Sequence, residues 1–499
     1  MSWNRYYTST INSVTFVLGE MSYYQPLQIT ARLTGKKESY ACYLNRQQRV
    51  FSEHTLTQED RAKGNIGYKF FTNQKKLTNY LQKTQAIITK VDRLKKEIDR
   101  LDVSRLTANQ IWKFVKRAEP IYAQSMGYYL ILQSEYTAKL SQTVQNKLAK
   151  RIPVEKLQGE FLALVKAVEP TCLEVERKAW LENILIPYKE GKVNGREKGV
   201  LTNKQVSRFK YLPASSQFGL WDEEHYKKLF RTEAGKSIKS LRGELQTIKD
   251  KSRQTALVQQ KLIAKYKLPA GLLREIEIIK KLSWLRLEAH FKGWAFFHYL
   301  GPLLVSRTAV LTKLLKELVF HLTLKEFYKL LKGKLVLTDE IYKRVGGNIL
   351  TIITPRKGCQ LFWGKAAEKK YSEELAETIP TTLEFKGQSA SGRGKVRGRV
   401  FVFKWGEADI DKKIHLFPKG RILVAGQTMP QFMPAIRQAK AIITNEGGAL
   451  CHAAIVSREL KISAIIGTKI ATEVLRDGDM VEMDLDKGKV RIIRALKGQ

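Results

Sequence analysis

The chain has 499 residues, enough for two or more domains with separate hydrophobic cores. Hydrophobic residues make up 43% of it, a share that excludes an intrinsically disordered protein. The net charge of +40 makes nucleic acid, membrane surfaces and anionic substrates the partner classes to consider. Because the lysines are spread along the chain without an arginine-rich arm, nucleic-acid binding is not favoured.

The cysteines and the apolar runs indicate the compartment. The N-terminal MSWNRYYTST lacks the basic and apolar parts of a signal peptide, and no apolar run is long enough to span a bilayer. The cysteines have neither metal-ligand nor CxxC spacing, which is typical of free thiols in a reducing cell interior. The sequence therefore predicts a soluble cytoplasmic protein without membrane attachment or a bound metal. The cysteines are Cys42, Cys172, Cys359 and Cys451.

The first part of the chain, residues 1–76, has no clear pattern, and its fold stays open. Two short runs, VTFVLGE and YACYL, have the composition of strands, and polar, turn-rich stretches separate them.

Residues 77–380 are predicted to form a large, mainly helical central domain. From 77 to 345, apolar residues recur at steps of three and four, with Lys and Glu between them. Thr107 is a predicted N-cap, and Pro120 is expected to kink or break its helix. After Gly347, NILTIIT and CQLFWG have the character of strands.

The composition changes again near residue 380. The segment 381–398 contains FKGQSASGRGKVRG, whose glycines and serines predict a hinge leading into an opening strand. Short strands, helices and tight turns then alternate, so residues 383–499 are predicted to form a compact α/β domain. The fold class is multidomain, with an all-α region followed by this α/β unit.

One stretch of this last domain carries candidate chemistry. TNEGGALCHAAIVSREL places Gly447 and Gly448 shortly before His452, where a loop becomes a helix. Backbone N–H groups at a helix start are unpaired and attract anions, and the positive end of the helix dipole disfavours imidazolium. A neutral imidazole is a nucleophile, so the loop is suited to a phosphohistidine. From the spacing alone, a tight turn with a capping or surface histidine is the commoner outcome.

The tail from about Gly387 to Val490 resembles the swivelling phosphohistidine domain of phosphoenolpyruvate-utilising enzymes. That group includes phosphoenolpyruvate synthase, pyruvate phosphate dikinase, enzyme I of the sugar phosphotransferase system and rifampicin phosphotransferase. The matching segments, in order, are KGQSASGRGKVRGRVFVF, GRILVAGQTMPQFMPAIRQAKAIIT, TNEGGALCHAAIVSREL and IIGTKIATEVLRDGDMVEMDLDKGKV. The resemblance implies a β/β/α fold and a phosphotransferase activity.

By this resemblance His452 is the phosphorylated residue. The residues expected to shape its loop and support the phosphate are Thr444, Gly447, Gly448, Cys451 and Arg458. The sequence departs from the family pattern at two positions. Ser463 replaces a proline that is usual in a later turn, and Leu450 replaces a frequent small polar residue; neither change removes the nucleophile.

A weaker resemblance extends upstream. LVFHLTLKEFYKLLKGK is similar to the segment that ends the helical central domain of rifampicin phosphotransferases, where the phosphoryl acceptor binds. His290 and His298, eight residues apart on an aromatic helix, could line such an acceptor pocket. Histidines packed in the core are the alternative, and the commoner one.

The expected donor site is missing. The 76 residues before the helical block are too few for an ATP-grasp domain, the tail leaves no room for a phosphoenolpyruvate-binding barrel, and no GxxxxGK[ST] loop is present. The leading hypothesis is therefore a phosphotransferase subunit. An ATP-grasp partner would phosphorylate it from ATP or phosphoenolpyruvate with Mg²⁺, and a small molecule would accept the phosphate. The alternatives are a non-catalytic phospho-carrier or regulator, and a basic nucleic-acid-binding protein with a relic histidine domain.

Overall fold

The structure is a computed structural model. It describes residues 3–10, 16–45, 50–189, 195–212, 220–234, 236–375, 382–404, 407, 410–428, 432–447 and 451–494.

Strands from the beginning and from the end of the first 375 residues form one antiparallel five-stranded sheet. Its spatial order is β1-β3-β2-β4-β5. The first three strands come from the first 56 residues, and one of them, β2, pairs with β4, which follows the helices. The YACYL run is a strand, as predicted, whereas residues 16–20 of VTFVLGE begin a helix instead. The strands are β1 (Trp3–Thr10), β2 (Tyr40–Asn45), β3 (Val50–Leu56), β4 (Ile349–Thr354) and β5 (Gly358–Trp363).

Helices make up most of this region, as the periodicity predicts. The first is α1 (Phe16–Thr34), which lies between β1 and β2. The others are α2 (Thr57–Phe71), α3 (Gln74–Arg100), α4 (Ala108–Leu130), α5 (Ser134–Leu148), α6 (Val154–Val165), α7 (Cys172–Lys189), α8 (Gly195–Phe209), α9 (Glu223–Ala234), α10 (Ile238–Lys265), α11 (Ala270–Glu288), α12 (Ala295–Thr312), α13 (Lys316–Phe320), α14 (Leu324–Leu331), α15 (Asp339–Arg344) and α16 (Gly364–Glu374).

The α4 helix confirms the predicted N-cap but shows no break at Pro120. Thr107 is its N-cap and forms a capping box with Gln110, whose side chain accepts from the Thr107 N–H at 2.8 Å. Pro120 does not end the helix, which continues to Leu130.

Glycines set two close helix crossings. A Cβ on Gly67 of α2 would lie 2.0 Å from the carbonyl oxygen of Tyr136 in α5. A Cβ on Gly127 of α4 would lie 2.7 Å from Ile29 Cβ in α1. At these distances any side chain would force the backbones apart, so the packing of both helix pairs depends on glycine.

A π-helix interrupts the long apolar helix that the sequence predicts over residues 272–300. It spans Ala289–Trp294, between α11 and α12, and Gly293 inside it has φ −95° and ψ −106°. The Lys292 carbonyl accepts a hydrogen bond from Lys95 Nζ of α3 at 2.7 Å. Short π-helical turns of this kind occur frequently at functional sites.

The C-terminal domain has one eight-stranded sheet, ordered β6-β13-β12-β8-β9-β10-β11-β7. Strands β6, β13, β12 and β8 are antiparallel, β8 to β11 are parallel, and β7 runs antiparallel to β11. Its elements are β6 (Glu384–Lys386), β7 (Gln388–Ser391), β8 (Lys395–Phe403), α17 (Ile410–His415), β9 (Ile422–Ala425), α18 (Met433–Ile436), β10 (Ala441–Thr444), α19 (His452–Glu459), β11 (Ser463–Ile466), α20 (Ala471–Val474), β12 (Met480–Asp484) and β13 (Lys489–Arg494).

The sheet folds on itself through β8 and produces three layers. Residues 395–399 of β8 pair with β12, and residues 400–403 pair with β9. One core lies between the antiparallel strands and the parallel strands, and a second lies between the parallel strands and α17, α18 and α19. This arrangement is the predicted β/β/α fold. Among the described residues, no buried hydrophobic cluster combines side chains from the two sides of residues 376–381.

Within the segment 381–398, predicted as a hinge and entry strand, residues 384–386, 388–391 and 395–398 lie in strands of the sheet. Gly387 shows why the segment is not free. Its N–H donates to Gly488 O at 2.8 Å, and a Cβ on it would lie 2.6 Å from Ile466 O. Glycine here permits close strand packing rather than swivelling. The remaining part, residues 376–381, lies outside the described residues.

Candidate functional site

The candidate site lies where β10 ends and α19 begins. The β10 strand is the centre of the parallel strands, between β9 and β11, and all four of its residues are buried. Ligands commonly bind beyond the carboxyl ends of such strands. His452 is the first residue of α19, as expected from the sequence.

The loop between these elements has a conformation that only glycine adopts readily. Gly447 has φ +118°, and a Cβ on it would lie 2.7 Å from Cys451 Sγ. Before it, the Thr444 hydroxyl donates to Glu446 O at 2.7 Å and closes a tight turn. Two of the residues predicted to shape the loop, Thr444 and Gly447, therefore hold its backbone.

Cys451 occupies the N-cap position of α19. Its sulfur accepts a hydrogen bond from the backbone N–H of Ala454 at 3.4 Å, as a serine or threonine oxygen would at this position. Ala453 and Ala454 are buried against the sheet, so the first turn of the helix is fixed in place. The predicted thiol thus has a structural role beside His452.

A second loop, which the sequence analysis missed, holds the first. Thr468 donates to Thr444 O from both its backbone N–H (3.0 Å) and its hydroxyl (2.9 Å). Asn445 donates to Thr472 Oγ1 at 2.7 Å and accepts from the Thr472 N–H at 2.9 Å. The signal was the Thr-Asn pair of TNEGG at the end of a buried strand, since buried polar side chains need partners.

Three other predicted positions lie partly or wholly outside the residues that the structure describes. Gly448 and Leu450 lie outside the described residues, and Arg458 lies in the last turn of α19. The side chains of His452 and Arg458 also lie outside the described part of the chain. Their predicted roles therefore stay predictions.

The structure places His290 and His298 together in the helical region. Trp294 lies between them, with ring-centroid distances of 4.7 Å to His290 and 5.0 Å to His298. Tyr129 of α4 packs against both His290 and Trp294. Burial lowers the pKa of His290 to about 3 and that of His298 to about 4, so both imidazoles are neutral at pH 7.

A buried polar cluster lies on the same π-helix. Glu288 accepts a hydrogen bond from the Cys172 N–H at 3.0 Å and forms an ion pair with Lys292. Lys95 contacts the Lys292 carbonyl, and burial lowers the pKa of its ammonium group. A surface cavity of about 460 Å³ adjoins α3, but its lining includes neither histidine; the lining residues are Arg93, Lys96, Glu97, Arg100 and Leu101.

The described residues offer neither a metal site nor a membrane span. No group of three or more His, Cys, Asp or Glu side chains within the described ranges is arranged to hold a metal ion. In the part of the chain that the structure covers, none of the helices combines the length and the apolar character needed to cross a bilayer.

The geometry of the C-terminal domain defines a β/β/α unit with a glycine-built loop ahead of a short helix. The family model described as "PEP-utilising enzyme, mobile domain" matches residues 417–488, which include this loop and helix. The chain therefore contains a mobile domain of the phosphoenolpyruvate-utilising enzymes.

Curated relatives match about a quarter of the chain. A probable phosphoenolpyruvate synthase of Archaeoglobus fulgidus is 45% identical over 123 residues, which are 25% of this chain and 16% of that protein. The phosphoenolpyruvate synthase of Pyrococcus furiosus is 42% identical over 25% of this chain and 14% of its own length. The uncharacterized phosphotransferase YvkC of Bacillus subtilis is 47% identical over 26% of this chain and 15% of its own length. The chain thus spans about a sixth of each relative's length.

Among solved structures, aconitase X of Thermococcus kodakaraensis matches 22% of this chain and 98% of its own at 21% identity. The TM-score of 0.18 is too low to support any conclusion about fold or function.

Proposed function

We propose that this chain is a phosphotransferase subunit in which His452 carries a phosphoryl group from a donor to an acceptor. One observation carries the proposal. His452 starts a helix directly after a positive-φ glycine loop at the end of a buried parallel strand, inside the segment that matches the mobile domain. The names of the relatives, phosphoenolpyruvate synthase and phosphotransferase, support the same reaction class.

The chemistry follows from the helix start. The positive end of the helix dipole and the N–H groups at the start of α19, apart from the Ala454 N–H that donates to Cys451 Sγ, favour the anionic phosphoryl group and the neutral imidazole. The imidazole nitrogen attacks phosphorus, an N–P bond forms, and the P–O bond to the leaving group of the donor breaks. In the second step an acceptor oxygen attacks, the N–P bond breaks, and the acceptor's proton leaves to a base.

The donor site is proposed on a separate ATP-grasp chain that uses ATP or phosphoenolpyruvate with Mg²⁺. The support is that the segment shared with the phosphoenolpyruvate synthases covers only 14–16% of their length, and that this sequence has no phosphate-binding GxxxxGK[ST] loop.

The acceptor is proposed to be a small molecule that binds near the π-helix. His290 and His298 are the candidate binding groups there, because their rings flank Trp294 and a neutral imidazole can hydrogen-bond an acceptor hydroxyl. The π-helical turn of residues 289–294 supports a functional role for this segment, since such turns occur frequently at functional sites.

The test is labelling of the full-length chain in an extract of its source cells, with ³²P-ATP and ³²P-phosphoenolpyruvate in parallel. We expect acid-labile, base-stable label on the wild type and none on His452→Ala. The matched control is His415→Ala, which removes an exposed histidine of the same domain and should leave labelling unchanged. Equal labelling of His452→Ala and the wild type would refute the proposal.

The same experiment separates an enzyme from a non-catalytic carrier. A phosphotransferase loses its label when the acceptor is present in the extract, and a phosphorylated small molecule accumulates in proportion. In a regulator the label stays on the protein. If label disappears from the wild type but not from a His290→Gln/His298→Gln variant, the acceptor site is near the π-helix.

A further inference from the structure

The outer surface of the antiparallel strands carries two rows of basic side chains. On β8 the outward residues are Lys395, Arg397 and Arg399; alternating with them, Val396, Gly398 and Val400 point inward. On β13 the outward basic residues are Lys489, Arg491 and Arg494, and Ile493, at a register shift beside Arg494, is also exposed. We call the outward surface of β8, β12, β13 and β6 the basic face. The register places seven basic and three acidic residues on it: Lys386, Lys395, Arg397, Arg399, Lys489, Arg491 and Arg494, with Glu384, Glu482 and Asp484.

The acidic residues organise this face more than they neutralise it. Glu482, on β12 between the two rows, accepts from Arg397 Nε at 2.6 Å and contacts Lys395 and Arg491 at 3.2 and 3.4 Å. Its side chain is only 5% exposed, whereas those of Arg397 and Arg491 are 66% and 56% exposed. The carboxylate therefore lies beneath the cations and holds them in place, and solvent meets the guanidinium groups first.

The spacing of the rows fits a double-stranded polyanion. Because β12 separates β8 from β13, the rows are about 10 Å apart, and successive basic residues within a row are about 7 Å apart. The grooves of duplex DNA are roughly 6 and 12 Å wide, so flexible Lys and Arg side chains from the two rows can reach the phosphates on both sides of one groove. The acidic row would then face the groove and not the phosphates.

Other occupants fit less well. The face has no aromatic side chain on which unpaired bases could stack, which disfavours single strands. An acidic protein surface would satisfy the net charge of the face, but nothing in such a surface requires two regular rows of like charge.

We propose that the basic face binds the phosphate backbone of double-stranded nucleic acid without reading its sequence. Backbone contacts of this kind position a protein on a duplex and do not depend on base identity. This inference is independent of the phosphohistidine proposal, because none of the residues in the basic face belongs to the His452 loop.

The experiment measures anisotropy of a short fluorescein-labelled DNA duplex titrated with the full-length chain at several salt concentrations. The logarithm of the binding constant should fall with the logarithm of salt by about 0.9 per phosphate contacted. The test variant is Arg397→Gln/Arg491→Gln, which keeps polar partners for Glu482. We expect its salt slope to be about 2 smaller and its affinity at 0.1 M salt to be at least tenfold weaker.

The matched control is Lys83→Gln/Lys90→Gln, which removes the same charge from exposed positions on α3. Thermal melting of each variant verifies folding. If the control loses as much affinity as the test variant, binding reflects total charge and the proposal is wrong. Tighter binding to polyglutamate than to the duplex would assign the face to an acidic protein and also overturn it. Binding of His452→Ala should equal that of the wild type.

Discussion

Replacing Gly447 by alanine should destabilise the loop before His452 by a calculable amount. Its φ of +118° is outside the region that an L-residue adopts, at a cost of about 1–3 kcal/mol. The new Cβ would also lie 2.7 Å from Cys451 Sγ, closer than any normal contact, so the loop or the helix cap must shift. Together these effects predict a loss of about 3 kcal/mol in the stability of the C-terminal domain.

Three further variants distinguish the cost of the backbone strain at Gly447 from the cost of the close contact with Cys451 Sγ. Gly420→Ala is the matched control, because Gly420 has φ +81° and its Cβ would meet no atom within 4 Å. It should cost about 1–2 kcal/mol, from backbone strain alone. Cys451→Ala removes the sulfur and costs about 1 kcal/mol as a lost cap. In the double variant Gly447→Ala/Cys451→Ala the 2.7 Å contact with the sulfur is absent and only the 3.1 Å contact with the Cβ of residue 451 remains, so the losses should be sub-additive by about 1 kcal/mol.

Hydrogen exchange of the buried amides of β10 in the full-length chain measures these free energies domain by domain. The reasoning is refuted if Gly447→Ala is no more costly than Gly420→Ala, or if the Gly447 and Cys451 effects add within 0.5 kcal/mol. Labelling of His452 provides the second readout. It should fall in Gly447→Ala and remain unchanged in Gly420→Ala.

Two more predictions concern the helical region. Burial lowers the folded-state pKa of His290 and His298. The contribution of the two neutral histidines to the free energy of unfolding is therefore fully present above about pH 7 and decreases as the pH falls below 6.5. Between pH 7.5 and pH 5, the free energy of urea unfolding should fall by about 2 kcal/mol less in His298→Gln than in the wild type. An equal fall in the two proteins would contradict this. Gly67→Ala should destabilise the chain by at least 2 kcal/mol in the same assay, because of the 2.0 Å approach to Tyr136 O, whereas Gly243→Ala, with open space around it, should be stabilising. Equal effects of the two glycine substitutions would show that the α2–α5 crossing is not close.

The sequence predicted the helices and turns that are stabilised by contacts between residues close to each other in the chain. The apolar residues of α3 recur at helical steps, and those positions are the buried ones. Thr107 caps α4 through residues only three positions away. The loop between Thr444 and His452 was also predictable, because the turn, the glycine and the start of the helix follow one another within nine residues.

Contacts between distant segments were not predictable in this way. The pairing of β2 with β4 joins residues about 300 positions apart, and nothing in either strand specifies the other. The glycines of residues 387–398 suggested freedom, but Gly387 is there because Ile466 approaches its backbone closely. The π-helix was not predictable either, since its residues continue the apolar pattern of α11, while Lys95, which binds the Lys292 carbonyl, belongs to another helix.

The same limitation explains why the basic residues look evenly spread along the sequence. Along the chain, Lys395 and Arg491 are nearly one hundred residues apart, but the register places both next to Glu482. The buried parallel strands separate this face from the helix layer that contains α19, because one core lies on each side of them. Substitutions at Arg397 and Arg491 should therefore change duplex binding without changing phosphorylation, and Gly447→Ala should do the reverse. If both sets of variants changed both activities, the two surfaces would be coupled through the domain, and the independence of the two proposals would be wrong.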